Sequence, residues 1–114
     1  MLAKVYLLSK ESEFERVKLD HKKFVSKNFF LLIHKADTDS PTRFGFIISN
    51  KVSPLSNLRN KTKRILHEGV RYVLTYVKPG YEVVFIAKKE AIRAYTDVLM
   101  AEVKSAFEKA GLLK

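Results

Sequence analysis

The spacing of apolar and polar residues predicts a helix and two strands in the first half of the chain. Residues 10–19 have an amphipathic helical pattern, and Ser9 and Ser12 can each serve as its N-cap. Ser12 stands three residues before Glu15, the spacing of a capping box. Residues 28–35 and 43–49 are aromatic and β-branched, and the polar turn ADTDSPT separates them. This pattern predicts two strands paired as a hairpin.

The second half of the chain predicts a long helix, a buried strand and a last helix. The long helix begins near Leu58, with Ser56 or Asn57 as its N-cap. Residues 81–89 form a nearly continuous apolar run, which predicts a central strand buried on both faces. Residues 96–110 predict the last helix, which stops at Gly111. This order of elements predicts one domain over residues 1–114, an α+β fold built as a two-layer α/β sandwich with helices packed on a small mixed sheet.

The long helix has two chemically different faces. Steps of 100° per residue place six residues on one arc of about 140°, namely Arg59, Asn60, Lys63, Arg64, His67 and Arg71. The opposite, mainly apolar side carries Leu58, Thr62, Ile65, Gly69, Tyr72 and Val73. A solvated helix face usually mixes charges of both signs, because like charges one turn apart repel. The basic arc therefore favours nucleic-acid binding, while an ordinary solvated face and a membrane-surface helix remain open alternatives.

The composition supports a polyanionic partner. The chain has 22 Lys and Arg against 12 Asp and Glu, a net charge of +10. A compact domain with such an excess repels itself, and a polyanion is the simplest compensation. The absence of Cys excludes disulfides and thiolate zinc sites, and no apolar run approaches the roughly 20 residues of a membrane span. The first residues lack the apolar core of a signal peptide, so we expect a cytoplasmic protein with no membrane partner.

The chain shows no constellation of residues with catalytic or metal-binding spacing. Its three histidines are scattered, and Asp37 and Asp39 fit a solvated turn better than a cation site. No Ser/His/Asp set or Gly-rich phosphate loop stands out. No zinc finger, zipper or helix-turn-helix pattern is present either, so RNA is favoured over DNA as the partner.

Three blocks of sequence carry a family resemblance: RFGFIISNKV, LRNKTKRILHE and GYEVVFIAKK. With these blocks in this order, the chain resembles the protein subunit of bacterial ribonuclease P over essentially its whole length. The resemblance implies that the long helix joins two parallel strands by a left-handed crossover, against the general right-handed rule. It also implies removal of the 5′ leader from precursor tRNA by an endonuclease whose RNA subunit holds the active site and its Mg²⁺.

The resemblance implies one set of residues that binds the RNA subunit and another that binds the leader. The signature positions of the first set, with two further residues of the basic arc, are Arg59, Asn60, Lys61, Lys63, Arg64, His67 and Arg71. The second set, from a groove between the first helix and the sheet, is Phe14, Lys18, Leu32 and Lys51. Lys61 stands where the family has an arginine, so the positive charge is kept but the planar guanidinium group is lost. Lys18 and Leu32 stand where the family has aromatic residues, so we expect leader binding to depend more on charge.

The sequence alone leaves several alternatives open. Phe14 fits either a stacking residue or a core residue under the first helix. The strand aromatics are expected mainly in the core, with a stacking floor as the alternative; they are Phe29, Phe30, Phe44 and Phe46. A stand-alone RNA-binding or ribosomal-type module without a processing role is the rival function, and a small nuclease acting unaided is a second.

Overall fold

The computed structural model describes residues 1–114 as a four-stranded sheet with three α-helices. The helices are α1 (Glu11–Leu19), α2 (Ser56–Val73) and α3 (Thr96–Lys109). The strands are β1 (Lys22–Val25), β2 (Phe29–Lys35), β3 (Arg43–Ile47) and β4 (Tyr81–Ala87). Short 3₁₀ helices occupy Lys4–Tyr6, Leu74–Tyr76 and Lys89–Arg93. The predicted α+β fold with a mixed sheet is confirmed.

The strand order is β1-β2-β4-β3, with β3 parallel to β4 and the other two pairs antiparallel. The predicted hairpin between β2 and β3 is therefore wrong, because β4 lies between them. Val83, Val84 and Phe85 of β4 are completely buried. A strand that is apolar on both faces needs a neighbour on each edge and cover on each side, so β4 takes the central position, as predicted.

The segment with α2 connects the parallel neighbours β3 and β4, as the resemblance implies. The left-handedness of this crossover stays a prediction.

The edge strand β1 was not expected from the pattern of the chain. Lysines and Val25 on this strand are exposed, and only Phe24 is partly buried, so the segment has no clear apolar alternation. The turn after β1 is fixed by Glu102 of α3. Its carboxylate accepts hydrogen bonds from the Ser26 hydroxyl at 2.5 Å and from the Asn28 backbone N–H at 2.9 Å. The turn thus joins the sheet edge to α3.

Helices α2 and α3 cover one face of the sheet and form the main core with it. The two helices approach closely at Gly69, where an added Cβ would lie 2.9 Å from Cγ2 of Val103. Aromatic rings fill the space below, and Phe85 packs at centroid distances of 5.0 Å from Phe46 and 5.8 Å from Phe107. The close approach follows from glycine having no side chain at the crossing point.

Helix α1 begins two residues earlier than its predicted capping box would place it, because its N-cap is Lys10 and not Ser12. The carboxylate of Glu13 accepts hydrogen bonds from the backbone N–H groups of Ser9 at 3.0 Å and Lys10 at 2.9 Å. These donors are among the groups that a helix leaves unpaired at its N-terminus. The predicted capping box of Ser12 and Glu15 is wrong, because Glu13 occupies that role.

The ends of α2 and α3 differ in how closely they match the sequence pattern. Helix α2 begins at Ser56, two residues before the predicted Leu58. The stop of α3 at Gly111 is confirmed, because Gly111 adopts φ +76° in the left-handed region. The next residue, Leu112, donates its N–H to the carbonyl of Phe107 at 2.9 Å. This is the bond of a Schellman motif, with both apolar side chains buried beneath it.

Candidate RNA-binding surfaces

The sheet face that carries α1 consists of three rows of side chains across β2, β4 and β3. The strand register and the alternation of side chains define these rows. We call the first row the open row; it contains Phe30, Ile86 and Ile47. The second row contains Leu32, Val84 and Gly45, and the third contains His34, Glu82 and Arg43. Helix α1 contacts the second and third rows and leaves the open row partly exposed. This face therefore adds a partial layer to the predicted two-layer sandwich.

The second row forms the apolar surface on which α1 packs. Val17 is completely buried against Leu32 and Val84. The ring of Phe14 lies so close to Gly45 that a Cβ there would overlap it. Leu32 is only 6% exposed. The predicted leader contact at Leu32 is therefore wrong, because Leu32 lies under α1 and is not accessible from the groove.

The third row fixes the position of α1 through ion pairs. Arg16 donates two hydrogen bonds to the buried carboxylate of Glu82, at 2.9 and 2.5 Å, and Arg43 donates one at 2.7 Å. Burial by itself would raise the pKa of Glu82, but the hydrogen bonds from the two guanidinium groups lower this pKa below its ordinary value. Arg43 also forms an ion pair with Glu13. The lone acid inside the apolar run YEVVF was the sequence signal for this network.

The position of α1 leaves a groove over the open row. Phe14 and Lys18 lie one turn apart on the flank of α1 opposite to Arg16, so they border the open row. Lys18 is half-exposed and forms only a loose pair with Glu15, at 3.6 Å. Lys51 is exposed in the loop that follows β3. Phe14 and Lys18 thus lie on the groove side of α1, and Phe14 also contributes to the packing of α1. The leader contacts predicted for Phe14, Lys18 and Lys51 stay predictions.

The outer face of α2 carries exposed positive charge. Lys61, Lys63 and Arg64 are exposed, and none of them has a carboxylate oxygen within 4.0 Å. Asn60 is exposed beside them. Arg59 is partly buried and donates from Nη1 to the carbonyl of Ser53 at 2.7 Å. We call Arg59, Asn60, Lys61, Lys63 and Arg64 the basic surface of α2.

His67 does not belong to this surface. Its side chain is 1% exposed and stacks on Phe46 with ring centroids 4.2 Å apart. Its Nδ1 accepts the backbone N–H of Leu2 at 3.4 Å, and Nε2 has no partner. Burial, with smaller effects from Lys63 and the N-terminal amine, lowers the pKa of His67 to about 4. The predicted RNA contact is wrong, because His67 is buried and uncharged near neutral pH.

The last two turns of α2 also differ from the prediction. Arg71 is exposed, but it donates to Glu68 at 2.6 Å, and this ion pair raises the pKa of Arg71. Its charge is therefore partly neutralised, in contrast to the charges of the basic surface. Tyr72 is 71% exposed, so its predicted place on the core side of α2 is wrong. Arg71 stays a candidate RNA contact, although a weaker one.

Two further properties of the structure concern metal ions and membranes. No three His, Asp or Glu side chains lie close enough together to hold a metal ion. None of the helices combines the length and the apolar character that spanning a membrane requires.

The fold and these two surfaces define a class of protein: a small basic α+β domain with an unpaired positive helix face and a separate groove bordered by an aromatic residue and a lysine. Comparison with known proteins identifies its family. A family model described as Ribonuclease P matches residues 2–111. The chain belongs to the ribonuclease P protein family.

Relatives match nearly the full length of the chain. The ribonuclease P protein component of Symbiobacterium thermophilum is 31% identical over 113 residues, which cover 99% of this chain and 97% of that protein. The ribonuclease P protein component of Clostridium kluyveri is 35% identical and covers 96% and 98%. Membership in this family supports a role in tRNA processing, within an endoribonuclease complex.

Solved structures of two family members have the same fold. The RNase P protein of Staphylococcus aureus superposes with a TM-score of 0.87 at 20% identity, covering 97% of this chain and all of that one. The RNase P protein of Thermotoga maritima superposes with a TM-score of 0.79 at 20% identity, covering 90% and 96%. The arrangement of sheet and helices is therefore shared at low sequence identity.

Proposed function

We propose that this chain is the protein subunit of a ribonucleoprotein ribonuclease P. In this proposal the basic surface of α2 binds the RNA subunit, and the groove beside α1 holds the 5′ leader of a precursor tRNA. The observation that carries the proposal is the unpaired positive charge on α2 in a chain of this family. Both binding partners are RNA, and neither DNA nor a membrane is needed.

The basic surface of α2 is chemically suited to phosphate groups. Lys61, Lys63 and Arg64 have no carboxylate partner to give up, so an RNA phosphate can bind them without breaking an ion pair. Arg64 presents a planar fork that can bind a phosphate with two hydrogen bonds, whereas Lys61 offers a point charge. Arg59 already uses one nitrogen on Ser53, which leaves its other donors for RNA.

The groove is suited to a single strand rather than a duplex. Its floor is the apolar open row, and its border combines the ring of Phe14 with the ammonium group of Lys18. Unpaired bases stack on aromatic rings, and lysines along the same path attract the backbone. Lys51 extends the positive charge beyond β3. A 5′ leader, which is single-stranded, fits this combination.

Catalysis belongs, in this proposal, to the RNA subunit with its Mg²⁺. The residues of the chain do not fit a magnesium site, because carboxylates and imidazoles do not come together in threes. The acidic side chains Glu13 and Glu82 are occupied by arginines. The chain instead reduces the repulsion between two polyanions and positions the leader.

A cleavage assay tests this proposal. Precursor tRNA is incubated with the cognate RNA subunit at near-physiological Mg²⁺, with and without the protein. We expect the protein to stimulate removal of the leader and to be inactive alone. No stimulation, or cleavage by protein free of RNA, would contradict the proposal. Equal affinity for precursor and mature tRNA would favour a stand-alone RNA-binding module instead.

A further inference from the structure

Phe30 occupies the end of the open row next to β1, and two lysines contact its ring. The Nζ of Lys23 lies 4.3 Å from the ring centroid, and the Nζ of Lys88 lies 4.7 Å from it. Lys23 belongs to β1, Phe30 to β2, and Lys88 directly follows β4. Three neighbouring strands therefore bring one aromatic ring and two ammonium groups together on the face that forms the groove.

The two lysines are held differently. Lys88 donates its backbone N–H to the carbonyl of Asn28 at 2.9 Å and its Nζ to the carbonyl of Ser26 at 2.6 Å. Lys23 is exposed, and its ammonium group lies over the ring of Phe30 without a hydrogen bond or an ion pair. Lys88 is thus a fixed part of the cluster, whereas the side chain of Lys23 is free to leave the ring.

The positive charge of this cluster is not neutralised within the chain. Neither Lys23 nor Lys88 has a carboxylate oxygen within 4.0 Å. Glu102 contacts the same turn, but its two oxygens accept hydrogen bonds from Ser26 and Asn28. An incoming anion therefore meets two cations without carboxylate partners beside a partly exposed aromatic ring.

We propose that Phe30, Lys23 and Lys88 form a nucleotide subsite of the groove for single-stranded RNA. One base stacks on Phe30, and the ammonium group of Lys23 moves from the ring to the adjacent phosphate. A base stacked on an aromatic ring is held more strongly than an exposed ammonium group over the same ring, so the exchange is favourable. This subsite rests on the proposed function, in which the strand is the leader.

The chemistry of the cluster also predicts its selectivity. Phe30 offers a ring without a hydrogen-bonding group, and both lysines are donors suited to phosphate oxygens. Every base has a π-face, so stacking alone does not select one base over another. The subsite therefore accepts leaders of different sequence, but it requires an unpaired nucleotide.

The test uses the holoenzyme, assembled with the cognate RNA subunit, and compares affinity for precursor and mature tRNA. We expect Phe30→Leu to weaken precursor binding by roughly 5- to 100-fold and to leave mature tRNA unaffected. Lys23→Gln should weaken precursor binding and lower its salt dependence by about one phosphate contact. Phe24→Leu and Lys22→Gln are matched controls, because these neighbours lie on the opposite face of the sheet. We expect both controls to keep the wild-type preference for precursor.

A fluorescence readout separates stacking from an effect on folding. The chain contains no Trp, so Phe30→Trp places a single reporter in the subsite. We expect precursor tRNA to quench this fluorescence and mature tRNA to leave it unchanged. Phe24→Trp, on the other face, should show no quenching by either RNA. Circular dichroism verifies that each variant is folded.

The possible outcomes distinguish the subsite from the function on which it rests. If the wild-type holoenzyme prefers precursor and Phe30→Leu keeps this preference, the leader lies elsewhere, and only the subsite is overturned. If Phe30→Leu and Phe24→Leu weaken both RNAs equally, the effect is on folding, and the subsite is again overturned. If the wild-type holoenzyme has no preference for precursor, the proposed function and the subsite fail together.

Discussion

The buried His67 predicts a specific dependence of stability on pH. Its pKa is lowered to about 4, chiefly by burial, with Lys63 and the N-terminal amine acting in the same direction and Glu68 against them. In the unfolded chain its pKa returns to the ordinary value of 6.5. Because the folded pKa is the lower one, His67 contributes stability above pH 6.5, and this contribution is lost as the pH falls from 6.5 to 4.

The magnitude follows from the difference between the two pKa values. A gap of about 2.5 units at 1.36 kcal/mol per unit corresponds to about 3.4 kcal/mol when both states are protonated. Between about pH 7 and about pH 5, linkage predicts a loss of about 2 kcal/mol from His67 alone. The carboxylate of Glu13, whose pKa is lowered to about 2, remains ionised over this interval. The contribution of His67 is isolated by comparing the wild type with a variant that lacks this histidine.

Urea denaturation followed by circular dichroism measures this loss, with His67→Phe as the control. Phenylalanine preserves the stack on Phe46 and has no titrating group, although it removes the acceptor for the Leu2 N–H. We expect the unfolding free energy of the wild type to fall about 2 kcal/mol further than that of the variant between about pH 7 and about pH 5. Parallel curves for the two proteins would refute the reasoning, as would an NMR titration of His67 near 6.5.

Three other substitutions test separate parts of the structure. Arg64→Ala should reduce affinity for the RNA subunit and lower the slope of log K against log salt by about one. The control Lys109→Ala on α3 should change neither the affinity nor the slope, and filter binding measures both quantities for both variants. Glu82→Gln should destabilise the fold by about 1–3 kcal/mol, because Arg16 and Arg43 lose their carboxylate partner but remain partly hydrated. An unchanged urea midpoint would contradict this expectation. Gly69→Ala should cost about 1–3 kcal/mol through contact with Val103, and Val103→Ala in the same chain should recover part of it in a double-mutant cycle.

The elements with local signals were predictable from the sequence. Helix α3 was expected over residues 96–110 and spans Thr96–Lys109, because Gly111 supplies a backbone conformation that ends a helix. The central place of β4 was also predictable, since an apolar run without polar alternation must be covered on both faces. Helical angles correctly placed Lys63 and Arg64 on the exposed face of α2.

The predictions for the partner of β3 and for His67 were wrong because segments distant in the sequence determine the surroundings of these residues. The partner of β3 is β4, and the paired residues Ile47 and Ile86 lie 39 positions apart in the chain, since 86 minus 47 is 39. His67 lies at an exposed angle of α2, but the N-terminal segment covers it through Leu2, 65 residues away. No periodicity within a helix contains such information. The open row could not be predicted from the sequence either, because it depends on which part of the sheet α1 leaves uncovered.

Helix α1 has only nine residues. Isolated helices shorter than about 12 residues are marginal in water, so α1 persists because Val17 and the arginine pairs at Glu82 hold it on the sheet. Its backbone amides can therefore open locally, without global unfolding, whenever these contacts release. We therefore expect the amide protons of α1 to exchange faster than those of the sheet on the other side of the groove, which belongs to the main core.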